Sequence, residues 1–464
     1  MAGVPGRHTG RSCFEPPRRA RPWVVLDPFV ELGQAPAAPA AEWAAVRCDG
    51  GKAYGWGEHG ETVARGLTLY VRRLTTPPSS NLSTALYIQA SNDALRGIQA
   101  EFGEDADGPL IPIDGYEFSA KAFIESAVEG VVVISLVFRL RRYHTRAYYL
   151  VYNAVDMSLA LIPGVPDPCP VSSTLTPLTV PRDGGGYELL LLASKLEPAS
   201  DEYSARTHEE ILCVWTPEAK PPEEPAGDGA GGMGPWRTKG RRLQFPKEVD
   251  EAFAAEVMFS FQGKAFFVDL SQGLVHCDLP TADNSFEGFG FTPLPAQVPD
   301  PRRNKFKLED MGPINHERTM RPVGRSIRFA CIERSDLSSG QQYGDAKITV
   351  WTLKGLGTKQ WVKDREFLAR ELWNLKEFRR RKLPPMEPKC PVLMPDGTLC
   401  LLLPNKRLRM EDPMEDYICN IDLSGRHISI LWSGHLSNYR YTEPAMLPPD
   451  FFSTNVHPRL AGKS

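Results

Sequence analysis

The chain has 464 residues and a formal net charge of −3, long enough for one large core or for two to three domains of about 150 residues each. That balance excludes the broad basic excess expected of a nucleic-acid or anionic-membrane binder. Hydrophobic residues at 42% and charged residues at 24% form a globular composition, and 39 glycines with 42 prolines favour many turns over long helices.

Residues 1–22, MAGVPGRHTGRSCFEPPRRARP, are basic but carry no apolar segment of the kind a secretory signal needs. They are also poor in the hydroxylated residues of a transit peptide, so a disordered tail is expected. From residue 23 to 450 short apolar runs alternate with turn residues. They include LTLYV (67–71), ALYI (85–88), VVVISLVF (131–138), AYYLVY (147–152), YELLLLA (187–193) and EILCVW (210–215). Further on come VMFSF (257–261), AFFVDL (265–270), SIRFACI (326–332), KITVW (347–351), TLCLLL (398–403), YICNI (417–421) and ISILW (428–432). Strands at this density, separated by Gly, Pro, Asp and Ser clusters, predict an all-β fold. None of the runs reaches the roughly 20 apolar residues that span a bilayer.

Two segments break the pattern. Residues 216–235, TPEAKPPEEPAGDGAGGMGP, read as a flexible insertion. Residues 364–382 read as an inserted helix, because Phe367, Leu368, Leu372, Leu375 and Phe378 recur near helical spacing before a Pro-Pro stop. Repeated hairpins join the strands: ILCVWT and ITVWT share Val-Trp-Thr, and NIDLSGRHISIL (420–431) echoes VDLSQGLVHCDL (268–279). Such repetition suggests one irregular β-propeller domain of about five to seven blades over residues 23–450, with a tail at 451–464.

The stretch AFFVDLSQGLVHCDLP (265–280) concentrates Asp269, His276, Cys277 and Asp278. A two-residue Gln272-Gly273 loop would gather Phe266, Val268, Leu270, Val275, Cys277 and Leu279 on an apolar face and set Asp269 opposite His276. The same rule applied to residues 417–432 sets Asp422 opposite His427. Cys277 then points into the core and His276 away from it, so no Cys–His dyad forms, and the two Asp–His pairs are cross-strand polar contacts. Nine scattered cysteines without a CxxC pair read as reduced, buried thiols.

Other motif matches lack their context. GAGGMG (229–234) fits GxGxxG but has neither a strand before it nor a helix after it. GKS (462–464) has His457 where a phosphate loop needs glycine. RRRK (379–382) is either a nuclear-import patch or a set of solvated cations at a helix end. Trp215 and Trp351 are expected to be sheet-packing residues.

The chain resembles the grass-type plant proteins of domain of unknown function 1618, which are akin to F-box-associated propellers. The resemblance rests on PWVVLD (22–27), LTLYVRRLTTPPSSN (67–81), YYLVYNAVDMSLALIP (148–163), FFVDLSQGLVHCDLP (266–280), RPVGRSIRFACIE (321–333) and ITVWTL (348–353). It implies an intracellular plant protein with a propeller-like fold and lends no catalytic residues. The expectation is therefore a non-enzymatic module that binds an unknown protein partner through loops. No catalytic, metal or cofactor-binding residue is assigned, and neither nucleic acid nor membrane is expected. A monomer in the cytoplasm or nucleus is favoured. The alternatives are a hydrolase with carboxylates at the propeller mouth and a nuclear regulatory factor.

Overall fold

The computed structural model describes residues 24–26, 28–33, 43–48, 57–72, 86–103, 110–113, 117–128, 130–141, 144–164, 176–182, 186–197, 205–217, 236–250, 253–279, 288–299, 314–334, 346–381, 385–404, 415–424, 429–437 and 445–447. Most of them lie in β-strands, and every apolar run named above falls in a strand to within a residue at its ends. The expected tails at 1–22 and 451–464 and most of the 216–235 insertion lie outside the described residues.

Strand β1 (Val24–Leu26) pairs with the last strand, β26 (Ala445–Leu447), so the two ends of the described chain share one sheet. Next comes an eight-stranded sheet in the order β3 (Trp43–Arg47), β4 (Leu67–Arg72), β5 (Leu86–Ala90), β2 (Phe29–Gly33), β6 (Phe118–Val128), β7 (Val131–Leu140), β8 (His144–Asn153), β9 (Ser158–Pro163). It curls until β3 meets β9, and the Cys48 thiol donates to the Leu159 carbonyl across that seam at 3.3 Å, so the sheet is nearly closed, like a barrel. Two helices, α1 (Gly57–Arg65) and α2 (Asn92–Ala100), pack on each other and bury Val63, Leu95 and Ile98 in the core of this sheet. Ser91 caps α2 by accepting from the Ala94 N–H.

Four four-stranded antiparallel sheets follow in chain order. They are β10 (Leu178–Pro181) to β13 (Arg237–Gln244) through β11 (Tyr187–Glu197) and β12 (Ala205–Trp215), and β14 (Val257–Phe261) to β17 (Gly290–Pro293) through β15 (Lys264–Asp269) and β16 (Gly273–Asp278). The next sheet runs from β18 (Arg318–Val323) to β21 (Trp361–Leu368) through β19 (Ser326–Glu333) and β20 (Lys347–Leu353). The last runs from β22 (Lys389–Leu393) to β25 (Ser429–Ser437) through β23 (Leu399–Leu403) and β24 (Glu415–Asp422).

Strand periodicity explains how these sheets stack. Along β7, Val132, Ile134 and Leu136 face the barrel core, while Val131 and Val133 pack on Leu189, Leu191 and Trp215 of the next sheet. Along β15, Ala265 and Phe267 face the β10–β13 sheet, and Phe266 and Val268 face the β18–β21 sheet. A strand dry on both sides reads as a continuous apolar run, which is why AFFV has no polar face. The β18–β21 sheet turns Ile332, Ile348 and Val350 towards Leu399 and Leu401 of the last one.

The helix expected over 364–382 is only partly formed. Asp364–Leu368 belong to β21, where Arg365 to Leu368 pair with Val350 to Lys347 of β20, so ladder hydrogen bonds override the helical spacing. Two short helices follow, α3 (Ala369–Trp373) and α4 (Lys376–Arg381), with Leu372 and Phe378 in the core. Arg379 and Arg380 are exposed on α4, and Lys382 lies outside the described residues.

Candidate functional site

The VDLS hairpin departs from the expected register. Phe266 faces His276, Phe267 faces Val275, and Asp269 faces Gly273 across a three-residue loop, Leu270 to Gln272. The expected Asp269–His276 pair therefore does not form. The register argument assumed one wet face, and both faces of this sheet are covered. Cys277 and His276 do point to opposite faces, with Cys277 in the core. Burial pushes the Cys277 thiol up to about 12, which suits an inert core residue. In the second hairpin Tyr417, Cys419, Ile421 and Ile430 share one core, but Asp422 pairs with Ser429. His427 lies outside the described residues.

What the two hairpins share is an Asp-Leu-Ser turn. Asp422 Oδ1 accepts from the Ser424 N–H at 2.8 Å and from its hydroxyl at 2.7 Å. Asp269 Oδ1 accepts from the Ser271 N–H, the Ser271 hydroxyl and the Gln272 N–H at 2.7, 2.5 and 3.0 Å. Its Oδ2 accepts from the Gln272 amide at 2.9 Å and the Ala254 N–H at 3.0 Å. Asp269 is only 2% exposed, so these bonds replace the water that the carboxylate lost. The turn in turn grips Leu270 from both sides. The Leu270 N–H donates to Glu256 Oε2 at 2.8 Å, and the Leu270 carbonyl accepts from buried Arg318 at 2.9 Å.

Glu256 leads to a feature with the form of a site. A cavity of about 520 Å³ is lined by residues of β6 in the eight-stranded sheet, by the first strands β10, β14, β18 and β22 of the four following sheets, and by Pro28 before β2. That volume is in the range of small-ligand sites. Each of these strands is in contact with the next from β6 to β22, and β26 lies against β6. The charged lining residues are Glu125, Glu256 and Arg321, and Ser126, Thr176, Thr179, Ser260 and Asn315 add hydrogen-bonding groups.

Glu125 sits at a β-bulge, where the β6–β7 register shifts between Ile124 and Ser126; bulges commonly re-aim a side chain beside a site. Its carboxylate accepts from the Ser135 hydroxyl at 2.5 Å and from the Thr176 hydroxyl at 2.6 Å. Ser126 and Thr179 share a further hydrogen bond of 2.5 Å, so β6 and β10 are stitched together at the cavity wall. Burial raises the Glu125 pKa, opposed by those hydroxyl bonds. Glu256 is exposed as a residue, and its carboxyl group accepts from the Leu270 turn. Desolvation there, followed by the Asp269 charge, raises its pKa to about 7. Asn315 Oδ1 is buried without a hydrogen-bond partner among the described residues.

Trp215 and Trp351 are buried between sheets, as expected. Among the described residues, no three His, Cys, Asp or Glu side chains come together as a metal ion would require, and no helix is long and apolar enough to cross a membrane. The sequence reading assigned no residue to this cavity. Of the five cavity strands only VMFSF stood out as an apolar run, because strands such as FSAKAFIESAV and RTMRPV turn polar side chains to the cavity.

Residues 267–400 match the family described as "Protein of unknown function (DUF1618)", and over that segment the resemblance read from the sequence is borne out. No curated protein gives a significant match. Among solved structures, an unknown-function protein from Dyadobacter fermentans DSM 18053 is 8% identical, with a TM-score of 0.30 over 66% of this chain and 79% of its own. A putative 6-phosphogluconolactonase from Bacteroides fragilis NCTC 9343 is 11% identical, with a TM-score of 0.26 over 89% of this chain and 99% of its own. At these scores neither likeness carries an argument.

Proposed function

We propose that the chain is a five-bladed propeller with blades β6–β9, β10–β13, β14–β17, β18–β21 and β22–β25, and that it serves as a non-enzymatic recognition module. The observation that carries this reading is the cavity, to which β6, β10, β14, β18 and β22 each supply lining residues, as the innermost strands of propeller blades do around a central channel. A protein partner recognised at the cavity mouth fits a site built from preformed strands and framed by connecting loops. In this reading the protein is a monomer of the plant cytoplasm or nucleus, and it binds neither nucleic acid nor membrane. The test is cross-linked capture from extracts of the source cells with the wild-type chain and with Ser260→Trp, which fills the cavity. A partner held by the wild type and lost from the variant supports the proposal. A partner set unchanged by the plug, or none at all, refutes it.

One observation favours a second reading, hydrolysis. Glu125 and Glu256 line the same cavity, and both carboxyl groups have raised pKa values, as a general acid at neutral pH requires. Turnover of chromogenic glycosides or esters that disappears in both Glu125→Gln and Glu256→Gln would establish it; turnover that survives both would exclude it.

A further inference from the structure

We propose that the cavity binds an aliphatic ammonium group, either a lysine side chain of a partner or a small free amine. The proposal rests on the recognition reading above and names the chemistry it would recognise.

Charge and shape carry it. Glu125 and Glu256 both line the cavity, and Arg321 is the one guanidinium of its lining; behind Glu256 the opposite charges of Asp269 and Arg318 offset each other, so the lining is short of one positive charge when both carboxylates are ionised. Both are held where ionisation is costly, as their raised pKa values report, and a desolvated carboxylate recovers that cost most fully from a cation at hydrogen-bond distance. The Thr176 hydroxyl, already bonded to Glu125, supplies a further acceptor for the ammonium hydrogens. Phe123, Ile124, Met258, Phe259 and Leu393 line the same space, and an alkyl stem would bury against them. A carboxylate or phosphate ligand would meet two like charges instead.

The probes are pentylamine, its neutral analogue pentanol, and a short peptide with one central lysine, titrated calorimetrically into the full chain. The amine is expected to bind at least about tenfold more tightly than the alcohol, and Glu125→Gln and Glu256→Gln are each expected to weaken it by about fivefold or more. Glu256 is exposed, so Glu256→Gln keeps the test open if Glu125→Gln fails to fold. A peptide tighter than pentylamine points to a partner's lysine, and the reverse to a free amine. The proposal falls if amine and alcohol bind alike, if neither binds, or if both substitutions leave affinity unchanged. Partner capture that Ser260→Trp abolishes while amines fail would retain the recognition reading and discard this ligand. Amine binding with capture indifferent to Ser260→Trp would do the opposite.

Discussion

Asp269 and Asp422 occupy the same Asp-Leu-Ser motif in different surroundings, which makes them a matched pair for experiment. Asp269 is buried and accepts five hydrogen bonds, so Asp269→Ala should cost about 2–3 kcal/mol by leaving buried donors unpaired. The Asp422 carboxylate accepts from the Ser424 N–H and hydroxyl at an exposed turn, so Asp422→Ala should cost about 0.5–1 kcal/mol. Urea denaturation midpoints compare the two. Glu256 gives a pH signature. Its folded pKa lies above the ordinary 4.5, at about 7, so the folded state holds the proton more tightly than the unfolded one. That contribution to stability is complete below 4.5 and is lost as pH rises through 7. Solvent at this exposed residue screens the effect, and the expected result is a sign: Glu256→Gln gains stability on the wild type between pH 5 and 8 in thermal melts. The thiols offer a third check. Cys48, Cys213, Cys277, Cys331, Cys390, Cys400 and Cys419 are all buried, and burial pushes Cys331 and Cys419 to about 12. Iodoacetamide should label none of these seven in the native protein and all of them in guanidine, read by peptide mass spectrometry. Cys277 was legible from composition alone, since buried thiols are common. The partners of Asp269 were not, because a turn's hydrogen bonds depend on loop length, and the sequence allows more than one.

At the scale of elements, glycines show where strands approach closely. A Cβ on Gly290 would lie 2.4 Å from His276 Cε1 and 2.7 Å from Nε2, whereas on Gly273 it would meet the Thr292 carbonyl oxygen at 2.3 Å. The first obstacle is a side chain and the second is backbone. Gly290→Ala should therefore destabilise by about 1–3 kcal/mol and be largely restored by adding His276→Ala, while Gly273→Ala should resist any such rescue. A double-mutant cycle in urea decides it. The strands of the stacked sheets were legible because a segment dry on both faces is an apolar run whatever its partners. Helix α2 was not, since NDALRGIQA carries a glycine and buries only Ala94, Leu95, Ile98 and Gln99. The cavity strands were hidden for a related reason: β6 buries fewer residues than β7 beside it, and Glu125 at its bulge breaks any alternation a reader could follow.

At the scale of the molecule, repetition was partly legible. Val-Trp-Thr marks β12 and β20, each the third strand of its sheet, so this repeat keeps phase with the architecture. Asp-Leu-Ser does not, for it joins second to third strands at Asp269 and third to fourth at Asp422. A local turn recurs wherever its geometry is needed, and it therefore counts hairpins rather than sheets. The apposition of β1 and β26 had no local signal at all, because pairing between distant segments is set by the whole stack. A chain ending at residue 444 should keep its far-ultraviolet β signal but melt earlier and over a wider range, as calorimetry would show.

The stacking order also bears on how the chain is made. From β7 onward, each sheet covers a face of the one before it, so most burial joins stretches that are neighbours in synthesis. A chain emerging from the ribosome can settle sheet by sheet, with a single uncovered apolar face moving along at its growing end. The pairing of Val24–Leu26 with Ala445–Leu447 is the exception, a bond that must wait for almost the whole protein. Birth and completion are thus separated in time, and until β26 arrives β1 stands without this partner, which is where a nascent-chain chaperone would find a long-lived target.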